Sequence, residues 1–239
     1  MRRLVMADLH RMLHRKVFYI CAIVFLFVLF FVGISDQDAS SNMTKANLFA
    51  SYIGGMLASL PIFIGLFGDD MKSGSTQCAI GRGMSRYKVV CAKFLDGFIL
   101  IAMMFVLAWL FLRGKFELFD IMLTDRQQSQ FMVSMAFTAV KTAGCLAFSL
   151  PFLYFSLNAS IGMLADMVFI FLVPQLLKGA QGLLHIGVYD LSFTGLMERA
   201  EALIAVGRFG WQIVPAIVIF IGGALTAAAA IFSGKEMEF

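Results

Sequence analysis

The sequence predicts an all-α membrane protein: six transmembrane helices preceded by an N-terminal amphipathic helix lying in the interface. Three observations carry this. First, 60% of the 239 residues are hydrophobic and 14% are charged, where soluble domains hold about 45–50% apolar and about 25% charged residues. Second, the mean hydropathy of +0.86 is concentrated in six long runs poor in charge. Third, Lys and Arg are biased to one side of the resulting topology, eleven against seven. Positive charge near span ends marks the cytoplasmic side. Both termini are therefore expected in the cytoplasm, and residues 1–239 form one transmembrane domain.

Residues 1–16 carry Val5, Met6, Leu9, Met12 and Leu13 on one helical stripe, with Arg3, Asp8, His10, Arg11, His14 and Arg15 opposite. Such a helix rests on anionic headgroups through its basic face. His10 and His14 have no third ligand nearby, so they read as a wet face rather than a metal site. Residues 17–34 form the first span, an uncharged run too long for a signal-peptide core and without a small-residue cleavage site. An outer loop at 35–45 carries Asp36 and Asp38; the Asn42-Met43-Thr44 sequon inside it reads as chance. The second span, 46–68, contains Pro61 as an expected kink and Gly54 and Ala58 as a small-residue ridge suited to close helix contact.

Residues 69–93 form a polar segment dense in positive charge, with Lys72, Arg82, Arg86, Lys88 and Lys93. The third span covers 94–112, with Asp96 at its inner end, and a mixed-charge outer loop follows at 113–130. The fourth span, 131–157, is interrupted by Pro151, and Asn158-Ala159-Ser160 make a tight inner turn. The fifth, 161–177, has Pro174 near its outer end. An outer segment at 178–208 shows helical spacing of Leu196, Met197, Ala200, Leu203 and Ile204, able to lie on the leaflet or dip into it. The sixth span, 209–234, carries a second small-residue ridge at Gly222, Thr226 and Ala230, and 235–239 form an inner tail.

Lys141 and Asp166 are the ionisable groups placed well inside spans. A charge at mid-span costs about 2.5–3.5 kcal/mol on insertion scales, so such residues face a bundle interior, a cavity or a partner. They are the candidates for a translocation path, with a structural role in the bundle as the alternative. Their depths differ by more than about 10 Å at 1.5 Å per residue, so a direct pair needs a tilt, a kink or a second subunit. The abundant Phe and Met fit adaptable apolar packing.

The remaining chemistry is mostly excluded. Cys21, Cys78, Cys91 and Cys145 form no CxxC pair, which removes zinc and dithiol motifs. No HExxH, Gly-x-Ser-x-Gly or phosphate-binding loop occurs, so no catalytic or metal site and no ATPase of its own is expected. Gly65-Leu66-Phe67-Gly68-Asp69 approaches the pattern of intramembrane aspartyl proteases with its spacing off by one, and its natural partner Asp190 falls on the opposite side. Two carboxylates must be close to share a proton. The net charge of +4 gives no reason to propose nucleic-acid binding.

One pattern is more specific. Asp70, Gly74, Gly83, Ser85-Arg86 and Lys93, directly after the second span, resemble the acidic–Gly–Gly-x-Ser-Arg–Lys order of type-2 ABC exporter permeases. The resemblance is clearest over residues 66–94 and departs at Gln77-Cys78. It implies that residues 69–93 couple to a cytoplasmic ABC ATPase through Asp70, Gly74, Thr76, Arg82, Gly83, Ser85 and Arg86. ATP and magnesium would reside on that separate ATPase. It further implies a second permease copy, as a homodimer, in a bacterial cell membrane among membrane lipids. The expected cargo is an amphipathic toxin or antimicrobial peptide. Lipid or drug export, or an ATP-independent carrier, is the alternative.

Overall fold

The computed structural model describes residues 2–31, 39–73, 75–121, 123–185, 187–208 and 213–234. The expected end of the first span, Asp36 and Asp38, Gly74, the start of the sixth span and the 235–239 tail lie outside the described residues, as does the side chain of Lys72. Among the described residues the chain is helical and contains no strand.

Helix α1 (Arg2–Leu13) meets α2 (Lys16–Phe30) at a 65° bend. α2 buries Phe18, Ala22, Phe25 and Leu29, one stripe at roughly heptad spacing, and leaves Ile20, Ile23 and Phe27 exposed. The face of α1 differs from expectation. Val5 and Met12 are buried as the stripe requires, but Met6 is 60% exposed and Asp8, assigned to the wet face, is buried. Asp8 turns inward because its charge is met there by Lys93.

A long second helix, Ser41–Met71, is assembled from α3 (Ala39–Phe49), a π-helical stretch Ala50–Gly54, α4 (Gly55–Pro61), a second π-helical stretch Ile62–Phe67 and α5 (Gly68–Ser73). The helix thus starts before the expected residue 46 and runs past 68, and beyond Pro61 it continues as the wider π form. The ridge at Gly54 and Ala58 packs inward: a Cβ on Gly54 would touch Phe25 at 3.3 Å, and Ala58 is fully buried.

α6 (Ser75–Gly81) is followed by a turn and then α7 (Arg86–Leu118). The polar segment is accordingly shorter than 69–93, because Arg86 to Lys93 already belong to the next membrane-length helix. At its far end α7 also absorbs Arg113 to Leu118, expected in an outer loop. Lys115 is buried there, and its Nζ donates to the carbonyl of Phe30 at the end of α2.

α8 (Asp125–Ser156) opens with a capping box between Thr124 and Gln127 and ends with Leu157 in the left-handed conformation, φ 53°. It packs against α7, α9 (Ala159–Met167), α12 (Phe193–Ala205) and α13 (Ile213–Ser233). Its small residues Ala139, Ala143, Gly144 and Ala147 are buried, which lets four neighbours approach one axis. α9 continues through a π-helical stretch, Val168–Leu172, into α10 (Val173–Leu184); α11 (Val188–Leu191) then leads into α12.

α11 and α12 dip into the bundle. Tyr189, Phe193, Met197 and Ala200 are buried, and the ring of Phe193 fills the space that a Cβ on Gly144 would occupy. The ridge on α13 behaves differently from expectation: Thr226 and Ala230 are exposed and, among the described residues, nothing lies within 4 Å of a Cβ on Gly222.

Five of these helices are long and apolar enough to cross a membrane: Ser41–Met71, Arg86–Leu118, Asp125–Ser156, Ala159–Leu184 and Ile213–Ser233. The bent pair Leu4–Leu13 and Lys16–Phe30 passes the same test only when taken together. Exposed apolar side chains such as Val106, Leu110, Phe155, Leu164, Val218 and Ile219 form the kind of surface that a bilayer covers.

Candidate functional site

The organising polar segment is rooted in a buried cluster of charge. α5 ends the second long helix and places Asp70 beside α1 and the first turns of α7. Asp70 is 2% exposed. Its Oδ1 accepts from Arg11 Nη2 at 2.8 Å and from Ser75 Oγ at 2.7 Å. Its Oδ2 pairs with Lys93 Nζ. Lys93 also donates to Asp8 Oδ2 at 2.5 Å, and Arg11 Nη2 lies 3.2 Å from Asp8 Oδ1. Asp96, one turn beyond Lys93, is fully buried, and neither of its carboxylate oxygens has a hydrogen-bond partner among the described residues. Three carboxylates thus surround two cations.

Burial opposes the charge on Arg11, but the hydrogen bond and charge of Asp70, followed by Asp8, outweigh it and raise its pKa. At the rim Arg15 pairs with Asp69, both partly exposed. Such a rim pair contributes about 0–1 kcal/mol, whereas breaking a buried pair costs about 3–5 kcal/mol because the remaining charge is stranded. The cluster therefore fastens α1, the end of the second long helix and α7 to one another.

Beyond this root the segment turns outward. Thr76 is buried against the bundle, while Arg82 and Gly83 are exposed. Gly83 has φ +87°, which a glycine adopts freely and other residues resist. Ser85 occupies the N-cap position of α7 with φ −66° and ψ 143°, but its side chain makes no capping hydrogen bond. Arg86 reaches the far end of the chain. Its Nη1 donates to the carbonyls of Phe232 at 2.5 Å and Ser233 at 2.8 Å, and its guanidinium lies 5.5 Å from the Phe232 ring centroid. A cation on the last carbonyls of a helix satisfies orphan acceptors and meets the negative end of the dipole. Arg86 thus caps α13. Of the residues that the family resemblance implies, Asp70 and Thr76 face inward, Arg82, Gly83 and Ser85 lie at the surface, and Arg86 ties the segment to α13.

Lys141 and Asp166 are held separately. Lys141 Nζ donates to Ser51 Oγ at 2.8 Å, in the first π-helical stretch. It lines a small pocket, about 20 Å³, with Tyr189, Thr194 and Glu198 from the dipping segment. Burial, reinforced by Glu198, pushes the Tyr189 phenol above its usual range. Asp166 is fully buried and neither of its oxygens is hydrogen-bonded among the described residues; Ser59 nearby donates instead to the Met56 carbonyl at 2.9 Å. Among the described residues Lys141 and Asp166 do not pair directly, in keeping with the difference in depth read from the sequence. π-helical stretches flank both, an irregularity frequent at functional sites.

Sequence reasoning missed Asp8, Arg11 and Lys93 as members of one site. Their only local sign was the i, i+3 spacing of Asp8 and Arg11. His10 and His14 are exposed, and no group of three metal-ligating side chains exists among the described residues. Compared with known proteins, the chain matches no family model, no curated protein and no solved structure.

Proposed function

We propose that the chain is the membrane permease subunit of an ATP-driven ABC exporter, moving amphipathic peptides out of a bacterial cell or its membrane. The observation that carries the reading is the short helix and turn from Ser75 to Ser85. It projects between two membrane-length helices, with Arg82 and Gly83 exposed at its tip and a buried charge cluster at its root. A rigid root and an exposed basic tip are what transmission of motion from a soluble partner requires. In this reading α1 lies in the interface, α2 and its continuation complete six spans, and both termini are cytoplasmic. A second copy of the chain and two ATPase subunits, which hold ATP and magnesium, complete the transporter. Lipids or drugs are the alternative cargo.

The test is purification from the native membrane in mild detergent, with copurifying ATPase activity measured for the wild type and Arg82→Glu. The wild type is expected to bring down an ATP-hydrolysing partner, and the variant to lose most of it while keeping its own thermal midpoint. Equal recovery in both would remove the coupling role of this turn.

An ATP-independent carrier is the second reading. It is favoured by Lys141 and Asp166 lying beside interrupted helices, as substrate sites of carriers do. Substrate flux through the purified chain alone in liposomes would support it.

A further inference from the structure

At the end of the bundle opposite the charge cluster, a pocket of about 340 Å³ opens between the start of α3, the start of α8 and the end of α12. Small-molecule sites occupy about 300–1,000 Å³. Hydroxyl and amide side chains from Thr44, Asn47, Gln127, Gln130 and Ser134 share its wall with Glu201. Glu201 is the one charged residue lining it among the described residues. Its carboxylate is held in place by Ser134, whose Oγ donates to Oε1 at 2.5 Å. Asn47 Oδ1 is buried and has no hydrogen-bond partner among the described residues. The wall therefore presents a fixed negative charge and an unused amide acceptor; among the described residues no cation lines it, and Lys141 acts on Glu201 only from the neighbouring pocket.

We propose that this pocket binds a primary ammonium group, with Glu201 as its counter-charge and Asn47 Oδ1 as a second acceptor. An ammonium offers three donors and no acceptor, matching the Glu201 carboxylate, the free Asn47 carbonyl and the hydroxyl oxygens of the wall. A guanidinium suits this site less well, because its fork seeks both oxygens of a carboxylate and Ser134 already occupies one. A divalent metal would need more anionic ligands than a single carboxylate. Met43 and Ile204 on the same wall can pack against the methylene stem that carries the ammonium. The group could belong to a free alkylamine or to a lysine side chain on a peptide; the chemistry is shared. The inference needs only the pocket and does not rest on the exporter reading.

The experiment is isothermal titration of the full chain in lipid nanodiscs, with heats on empty nanodiscs subtracted. The probes are n-butylamine and a terminally blocked Gly-Gly-Lys-Gly-Gly peptide, with n-butanol and the Nζ-acetylated peptide as neutral counterparts. At least one ammonium probe should bind saturably, and the tighter of the two identifies the source of the group. Glu201→Gln should weaken binding about tenfold or more, since a charge-assisted contact becomes a neutral one. Asn47→Asp, by adding a second carboxylate, should tighten it ~threefold. Glu198→Gln, whose side chain lines the neighbouring Lys141 pocket instead, should leave binding unchanged. Thermal midpoints show that each variant is folded, and the gain expected of Asn47→Asp keeps the test decisive if Glu201→Gln is not. Absence of saturable heat at millimolar probe, equal binding by the neutral counterparts, or no change in either pocket variant overturns the proposal.

Discussion

Lys93 illustrates how much one side chain can be asked to hold. It is 4% exposed and pairs with two carboxylates from helices far apart in sequence. Lys93→Met would leave Asp8 and Asp70 buried with only Arg11 between them. The expected loss is about 3–5 kcal/mol, read as a lower thermal midpoint in detergent. Adding Asp70→Asn removes one stranded charge and should recover part of that loss, so the double variant should be more stable than Lys93→Met alone. A double variant less stable than the single would mean that the carboxylates are not coupled through Lys93. Arg86 holds a different kind of contact. Because it caps α13 through two carbonyls, reversing its charge would loosen the bundle as well as any docking surface, and Arg82 is the cleaner position for testing a partner.

Among the elements, α12 depends on a glycine in another helix. Phe193 sits where a Cβ on Gly144 would be, and its ring stands 5.9 Å from Phe148 and 6.0 Å from Phe220. Helix α12 can enter the bundle because α8 offers no side chain at that point. Gly144→Ala should push Phe193 out, at a cost of about 1–3 kcal/mol for overpacking. Cys145 is buried in the same region and lines the pocket beside Phe193. With Cys21, Cys78 and Cys91 replaced by Ser, Cys145 should react with N-ethylmaleimide several-fold faster in Gly144→Ala than with Gly144 present. An unchanged rate would show that α12 stays docked. The long α7 carries Lys93 in its first turns and Lys115 in its last, charges that look like loop in sequence but are held by partners at both ends.

For the whole molecule, the charge cluster and the ammonium pocket lie at opposite ends of the bundle. On the proposed topology, the Lys and Arg bias would place the cluster end in the cytoplasm. Cys78 lies at that end and is exposed; Arg126 lies at the other and is exposed. In intact cells a membrane-impermeant maleimide should modify an Arg126→Cys probe in a cysteine-free background and spare a lone Cys78. The opposite labelling pattern would invert the topology and place the Ser75–Ser85 turn outside, where no ATPase could reach it.

The sequence alone carried the helical class, the position of the apolar runs and the turn at Asn158. Each of these is written locally, in run length, charge depletion and capping residues. It also marked residues 69–93 as unusual. It did not show that Asp70 is the hub of a buried cluster, that Asp8 faces inward, or that Lys93 belongs to a span. Those depend on Lys93 meeting Asp8 across 85 residues of chain, a contact with no periodic signature. Helix limits moved for the same reason: a charged turn reads as loop until a partner is found to neutralise it. The docking of Phe193 on Gly144 and the separation of Lys141 from Asp166 were likewise decided by packing, because only the assembled bundle fixes which polar groups leave water and what meets them there.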